Sequence, residues 1–373
     1  MSAACVLSSR DMRATIKRTM VNACAVGYNH IMAAKKPTAF SYYDFGNLLS
    51  RNAVINIAIG PRGDGKTYGA KKLAIRNAIK KGEQFILLRR YKTELMTRTS
   101  FFDDIADNIR EEFPGYMFRV NGQSAEMKVP GKKAWEIIGH FVALSNSQGK
   151  KSVSYAKVTL IIFDEFIIDR GAVRYLPNEV RSFLDFYNTV DRWQDRTRAI
   201  LISNSVSIMN PYFIEWDVRV EDFKEFITKG DGFLCVNLIE DHEFESQVRQ
   251  TKLGKFIENT EYADYSIGGV FKDAHMAFVQ KKTPTARYYA TIETDTGMFA
   301  LWIDYVTRLW YADEKLPKVQ KIWTIVPEKM APGKVLMLKN DKTMQQLRTQ
   351  FSHGRLFVSS PKARNAFIGV MKR

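Results

Sequence analysis

The sequence predicts an α/β protein: a doubly wound parallel sheet, then a short helical linker and a small α+β domain. Three observations carry this. Strand and helix patterns alternate over about 200 residues, the order that builds a parallel sheet through crossover helices. The run Val158-Thr159-Leu160-Ile161-Ile162-Phe163 is apolar and largely β-branched without a break, as a strand buried on both faces must be. Upstream, the β-rich residues 54–59 pass directly into Gly60-Pro61-Arg62-Gly63-Asp64-Gly65-Lys66-Thr67 and then into helix formers.

Strand, glycine loop and helix in that order are the setting in which Gly-x-x-x-x-Gly-Lys-Thr becomes a phosphate-binding P-loop. The glycines let the backbone curl around a phosphate chain, so that successive N–H groups and the helix N-terminus point at the anion. Lys66 then supplies a point charge for the β- and γ-phosphates, and the Thr67 hydroxyl can ligate Mg²⁺. An ordinary glycine turn is the alternative, and the presence of all three parts argues against it.

Composition limits the setting. With 45% apolar and 12% aromatic residues, 373 residues can bury a real core in one large or two ordinary domains. A formal net charge of +16 points to a polyanionic partner, nucleic acid before an anionic membrane, although a merely basic soluble protein has the same balance. Cys5, Cys24 and Cys235 lack metal-type spacing and suit a reducing compartment. No apolar run approaches the ~20 residues of a spanning helix, so no membrane role is expected. Residues 1–40 form a basic extension with Arg10, Arg13, Lys17, Arg18, Lys35 and Lys36 against Asp11. Its composition resembles a transit peptide and equally suits a nucleic-acid arm or a docking helix.

Taken in order, Tyr42-Tyr43-Asp44-Phe45 could stack on adenine or pack under the sheet edge. The helix after Thr67 is alanine-rich and stops at Gly82. A strand at 84–88 ends in Arg89-Arg90-Tyr91-Lys92, and a helix is expected through 101–113. A hairpin (116–120 with 126–129) and a strand at 134–144 come next. The polar stretch 145–157, with Gly149-Lys150-Lys151, feeds the Val158 strand, and a helix spans 177–193. A short buried strand at 199–202 ends in Ser203-Asn204-Ser205, and 233–239 is read as the last strand of the sheet. The nucleotide domain is placed at 1–245, the linker at 246–276 and a second, mainly antiparallel domain at 277–373, with strands at 277–280, 287–293, 298–305, 308–312 and 320–325.

The chemistry concentrates at strand ends. Asp164 and Glu165 close the most apolar strand, where ligands bind in open α/β sheets. Asp164 can hold the Mg²⁺ shell, and Glu165 can orient or deprotonate the water attacking the γ-phosphorus. Asn204 is placed to sense the γ-phosphate, with turn formation as its competitor. Arg62 sits in the glycine loop although backbone geometry demands no guanidinium there. Arg192, Arg196 and Arg198 cluster after the 177–193 helix, and Arg192 could reach a neighbouring subunit's nucleotide or simply complement the helix C-terminus. Lys150 and Lys151 suit a nucleic-acid backbone or an adjacent active site. In the second domain Asp295, Asp304 and Asp313 are scattered, so a metal-dependent nuclease is not expected; its lysines and arginines suit phosphates.

Several segments together resemble the DNA-packaging ATPases of small tailed phages of the phi29 type. They are the glycine loop, Gly82-Glu83-Gln84-Phe85-Ile86 with Arg89-Arg90-Tyr91-Lys92, and Ile162-Phe163-Asp164-Glu165-Phe166. Leu176-Pro177-Asn178-Glu179-Val180, Ser203-Asn204-Ser205-Val206-Ser207 and Asn210-Pro211-Tyr212-Phe213 follow in the same order, with Gly254 and Thr260-Glu261-Tyr262 beyond. The likeness is close over residues 41–269 and faint after them. It implies a P-loop ATPase of the additional-strand (ASCE) class using ATP and Mg²⁺, and a C-terminal domain that is a degenerate RNase H-like nuclease. It also implies a homo-oligomeric, pentameric ring that docks on the phage portal and prohead, with a structural packaging RNA as a further partner, and drives double-stranded DNA inward. Such a motor works in the host cytoplasm, attached transiently to the prohead and absent from the mature virion. Residue by residue, Arg62 becomes the P-loop arginine, Lys66 and Thr67 the phosphate and metal contacts, Asp164 the metal aspartate and Glu165 the catalytic carboxylate. Arg192 and Lys151 match trans-acting basic residues. Asp64 and the first forty residues depart from the pattern. A helicase or remodelling ATPase on single strands, and a nucleotide-gated scaffold without turnover, are the other readings.

Overall fold

Six parallel strands form the centre of a nine-stranded sheet in a computed structural model that describes residues 43–150, 154–168, 173–204, 210–218, 225–239, 242–258 and 282–371. Lys151, the N-terminal extension and the strand expected at 277–280 lie outside these residues. The parallel strands are β1 (Ile55–Ile59), β2 (Gln84–Arg89), β5 (Glu136–Ala143), β6 (Val158–Asp164), β7 (Arg198–Ser203) and β9 (Leu234–Leu238). Their spatial order is β5-β2-β6-β7-β1-β9. One edge is extended by the antiparallel hairpin β3 (Met117–Asn121) and β4 (Ser124–Lys128), the other by β8 (Phe226–Lys229). The strand read as the last, β9, is the last of this sheet in chain order, and β8 lies outside it at the edge. Only Ile227 of β8 is buried, so its four residues carry little strand pattern.

Alternation along the strands divides the core between two faces. Ala58, Ile162, Ile200 and Ile202 face α2 (Lys66–Lys81), which follows α1 (Gly46–Leu49) and the glycine loop in the chain. Ala70, Ala74 and Ala78 recur every four residues on α2, and this flat stripe lets the helix lie close on the sheet. Gly82, at φ 68°, ends it in a left-handed cap. Ile57, Ile59, Ile161, Phe163 and Leu201 face the other way, onto Phe183, Phe186 and Val190 of α4 (Glu179–Asp191). Each fully buried phenylalanine there contributes about 1.5–3 kcal/mol by leaving water.

The helix expected through 101–113 is shorter. A 3₁₀ stretch (Lys92–Ser100) and turns precede α3 (Ala106–Glu112). Phe101 stacks on Phe85 and meets Phe141 edge-on, while Phe102 packs on Phe118. Burying two successive aromatics against the sheet favours a turn over one helical face.

After α5 (Pro211–Glu215), α6 (His242–Gln250) and α7 (Lys252–Ile257), the chain forms a second sheet. It contains β10 (Arg287–Glu293), β11 (Met298–Asp304), β12 (Leu309–Asp313), β13 (Ile322–Thr324), β14 (Lys334–Leu336) and β15 (Leu356–Val358). The order is β14-β13-β10-β11-β12-β15. Only β10–β11 and β11–β12 are antiparallel; the other three pairings are parallel, which corrects the mainly antiparallel expectation. Hairpin turns are legible locally, whereas β13, β14 and β15 are three-residue strands paired by long-range packing. The meander β10-β11-β12 with β13 and β14 added beside β10 is an RNase H-like order. Helices α8 (Lys342–Ser352) and α9 (Pro361–Met371) complete this layer. Tyr42–Arg373 form one compact unit, and one hydrophobic core runs from the α4 face into the second sheet. Buried Arg364 of α9 donates to the Val218 carbonyl at 2.9 Å, tying the second layer to the chain after α5.

Candidate nucleotide site

The glycine loop leaves β1 at the carboxyl edge of the sheet, beside the ends of β7 and β6. Gly65, at φ 82°, caps α2 in a left-handed conformation that favours glycine. At Gly60 a Cβ would lie 2.8 Å from both Asp64 Oδ2 and Ile239 Cβ, so the close approach requires glycine. Lys66 turns back into the loop, where its Nζ donates to the carbonyls of Gly60 (3.1 Å) and Pro61 (2.7 Å). Asp64 completes the cage. Its oxygens accept from Lys66 Nζ at 2.8 and 2.9 Å and from Lys66 N at 3.1 Å. Both side chains are buried. Burial pushes the Lys66 ammonium below the ordinary lysine value, and the Asp64 carboxylate opposes that shift.

Thr67 Oγ1 donates to Asp164 Oδ1 at 3.1 Å, joining the start of α2 to the end of β6. Among the described residues no cluster of three or more His, Cys, Asp or Glu side chains could hold a metal. One hydroxyl and one carboxylate nevertheless suit Mg²⁺, which keeps waters and takes phosphate oxygens to fill its octahedron. Glu165 follows at φ 57°, a left-handed conformation uncommon for a non-glycine residue, and its side chain is 55% exposed. Arg89, at the end of β2, places Nη1 3.2 Å from Asp164 Oδ2 and 3.3 Å from Glu165 Oε2. A cavity of ≈ 130 Å³ opens here, lined by Thr67, Lys71, Arg89, Glu94, Arg98 and Asp164 among others. Arg89 had no role in the sequence reading. The signal available was an arginine directly at the carboxyl end of a buried strand.

β7 lies between β1 and β6, pairing Ser203 with Ile59 and Ile202 with Asp164. Asn204 therefore emerges between the glycine loop and the acidic pair, half-buried. Arg62 is exposed on the loop.

The three clustered arginines prove to be different things. Arg196 donates to the carbonyls of Val158 and Val190, each at 2.6 Å, and to those of Tyr155 and Ala156. Arg198 pairs with Asp195 and Asn52. Arg192 is exposed in the left-handed C-cap of α4, at φ 55°. Because α4 runs back to where β7 begins, Arg192 lies at the opposite edge of the sheet from its own glycine loop. A six-residue strand separates those edges by roughly 20 Å. Asp191 fixes the loop that carries it, accepting from the N–H groups of Gln194, Asp195, Arg196 and Thr197 at 2.9–3.0 Å. Burial raises the Asp191 pKa, but these donors outweigh it and leave the net value below the ordinary one. A depressed folded-state pKa stabilises above the unfolded value and is lost on acidification. Asp191→Asn is therefore expected to cost about 1–2 kcal/mol at pH 7. That deficit should shrink as pH falls below about 4, as measured by denaturant unfolding at both pH values.

Among the described residues the second layer holds no comparable site. Asp304 accepts from the Thr283 and Thr285 hydroxyls at 2.6 and 2.8 Å, and Asp313 pairs with Lys282 and Ser359.

A glycine loop after β1, an acidic pair after β6 and one strand inserted between them define an additional-strand P-loop nucleoside triphosphatase. Within that class, the chain belongs to the podovirus DNA encapsidation protein (Gp16) family, whose model matches residues 39–372. It is 32% identical over 335 residues to the DNA packaging protein of Bacillus phage phi29, covering 89% of this chain and 97% of that one. Against the DNA packaging protein of Bacillus phage B103 the identity is 33% over 312 residues, covering 83% and 94%. Among solved structures, a chain of the bacteriophage Phi-29 viral genome packaging motor assembly is 29% identical, with a TM-score of 0.54. The match covers 89% of this chain and 99% of that chain.

Proposed function

We propose that this chain is the ATP-hydrolysing subunit of a homo-oligomeric, pentameric ring that drives double-stranded viral DNA into a phage prohead. The observation that supports this best is the Thr67–Asp164 contact with Glu165 beside it, because that set suits transfer of a phosphoryl group to water. The loop N–H groups and Lys66 bind the phosphates, and Thr67 with Asp164 would hold Mg²⁺, which supplies charge neutralisation when bound. Glu165 orients and deprotonates the attacking water. Asn204 reports on the γ-phosphate, while Arg62 couples nucleotide state to a neighbour or to DNA. Arg192, and with it Lys151, act on the adjacent subunit's nucleotide. The net charge of +16 favours a duplex in the ring, and the portal and a structural packaging RNA are the docking partners. The ring works in the host cytoplasm and leaves before the virion matures.

The reading is tested by ATP turnover of the full chain with and without linear duplex DNA. Hydrolysis stimulated by duplex is expected; none in either condition contradicts it, and stimulation by single strands alone favours a helicase.

Asp64 gives a second expectation. Its carboxylate occupies two of the donors a phosphate needs, Lys66 N and Nζ, so nucleotide must displace it. Asp64→Asn removes a charge that repels the triphosphate and is expected to tighten Mg-ATP binding by about 1–2 kcal/mol, roughly 5- to 30-fold. Calorimetric titration with weaker binding would contradict this role for Asp64.

A further inference from the structure

Arg89 and Arg90 are consecutive, yet their side chains leave the end of β2 for different tasks. Arg89 meets the Glu165 carboxylate. Arg90 is buried and reaches the main chain of the same residue: Nη1 donates to the Glu165 carbonyl at 3.2 Å and Nη2 to the Phe166 carbonyl. The rest of its fork is held by Glu179, with Nε 2.8 Å from Oε2 and Nη2 2.9 Å from Oε1. Glu179 is itself fixed, accepting from the Tyr212 hydroxyl at 2.9 Å and from Leu176 N at 2.7 Å.

The purpose of this buried assembly lies in the backbone it grips. Glu165 holds a left-handed conformation that an L residue adopts only when its surroundings over-determine it. The Phe166 N–H is anchored to the Ile202 carbonyl at 3.2 Å, so one side of the turn is pinned to β7. Arg90 pins the other side through two carbonyls. A carboxylate on a freely rotating turn would sample many directions, whereas one on a clamped turn is held next to Asp164, within 3.3 Å of Arg89.

We propose that Arg90, oriented by Glu179, is a positioning residue for Glu165, acting through the main-chain carbonyls of the left-handed turn after β6. This rests on the ATPase reading above. Arg90 is buried and does not line the cavity, so no contribution to ATP binding is expected from it. Glu179 also opens α4, the helix that ends at Arg192, so the same pair fixes the near end of the element that carries the trans-acting arginine.

Two substitutions separate positioning from bulk stability. Arg90→Lys keeps the charge but loses the planar fork, which alone can serve two carbonyls and both Glu179 oxygens. Glu179→Gln keeps an acceptor for Arg90 and leaves its carbonyl contacts in place. With full chain, saturating Mg-ATP and duplex DNA, Arg90→Lys is expected to lower kcat about 10- to 100-fold with Kd for Mg-ATP within about twofold. Glu179→Gln should lower kcat per folded molecule in the same direction but less, about 3- to 10-fold, again with Kd for Mg-ATP within about twofold. In the Glu165→Gln background, Arg90→Lys should add little, because Arg90 acts through Glu165. Wild-type kcat in Arg90→Lys, or equal losses in both variants that follow the folded fraction, would overturn the proposal alone. A wild-type chain without hydrolysis would overturn it together with the ATPase reading.

Discussion

Replacing Glu165 by glutamine is expected to lower ATP turnover by about 10²–10⁴-fold, the usual worth of a positioned general base, while Mg-ATP still binds. Binding is expected to persist because the proposed phosphate and metal contacts are Lys66, Thr67 and Asp164, none of which the substitution alters. Glutamine keeps the size of the side chain but cannot accept a proton, and its neutral amide weakens the contact with Arg89. The fold should hold, since the Glu165 side chain is more than half exposed. Single-turnover hydrolysis and a separate binding titration divide the two effects. Retained turnover would move the hydrolytic role away from Glu165.

Removing Arg192 is expected to have the other large effect. An arginine that meets the developing charge on a neighbour's phosphate contributes about 10³–10⁵ in kcat, so Arg192→Ala should be nearly inactive as a homogeneous ring. Arg192→Lys should not restore activity, because an ammonium lacks the planar fork. Stability should change by less than about 0.5 kcal/mol, since the side chain is exposed. Arg192→Ala subunits retain Glu165, and Glu165→Gln subunits retain Arg192. Mixing the two is therefore expected to recover activity at interfaces that pair the intact groups. If mixed rings never recover, the assignment of Arg192 to the neighbouring site fails.

Much of the candidate nucleotide site was legible because P-loop chemistry is local. Gly60 to Thr67 are contiguous, and the β6 run with Asp164 and Glu165 declares itself by hydrophobicity alone. Contacts between strands were not. That Arg89 would meet Glu165 follows from β2 lying beside β6, and strand order leaves no trace in a local pattern. Arg196 and Arg192 look alike in sequence, as cations in one polar loop. Only the carbonyls gathered from β6 and α4 make one structural and leave the other exposed. Asp64 was visible as a departure but not as a partner of Lys66, because their contact depends on the loop's fold rather than on spacing. In the second layer the strands β10 to β13 were readable, whereas the parallel pairing of β13 and the short strands β14 and β15 were fixed by packing.

The central claim is that ATP turnover at this site moves duplex DNA into a prohead. It is tested most directly by mixing the full chain with proheads of the same virus, linear duplex DNA and Mg-ATP, then measuring DNA protected from nuclease. The account predicts full-length protected DNA with the wild-type chain and none with Glu165→Gln. Protection by Glu165→Gln, or its absence with an actively hydrolysing wild-type chain, would contradict it.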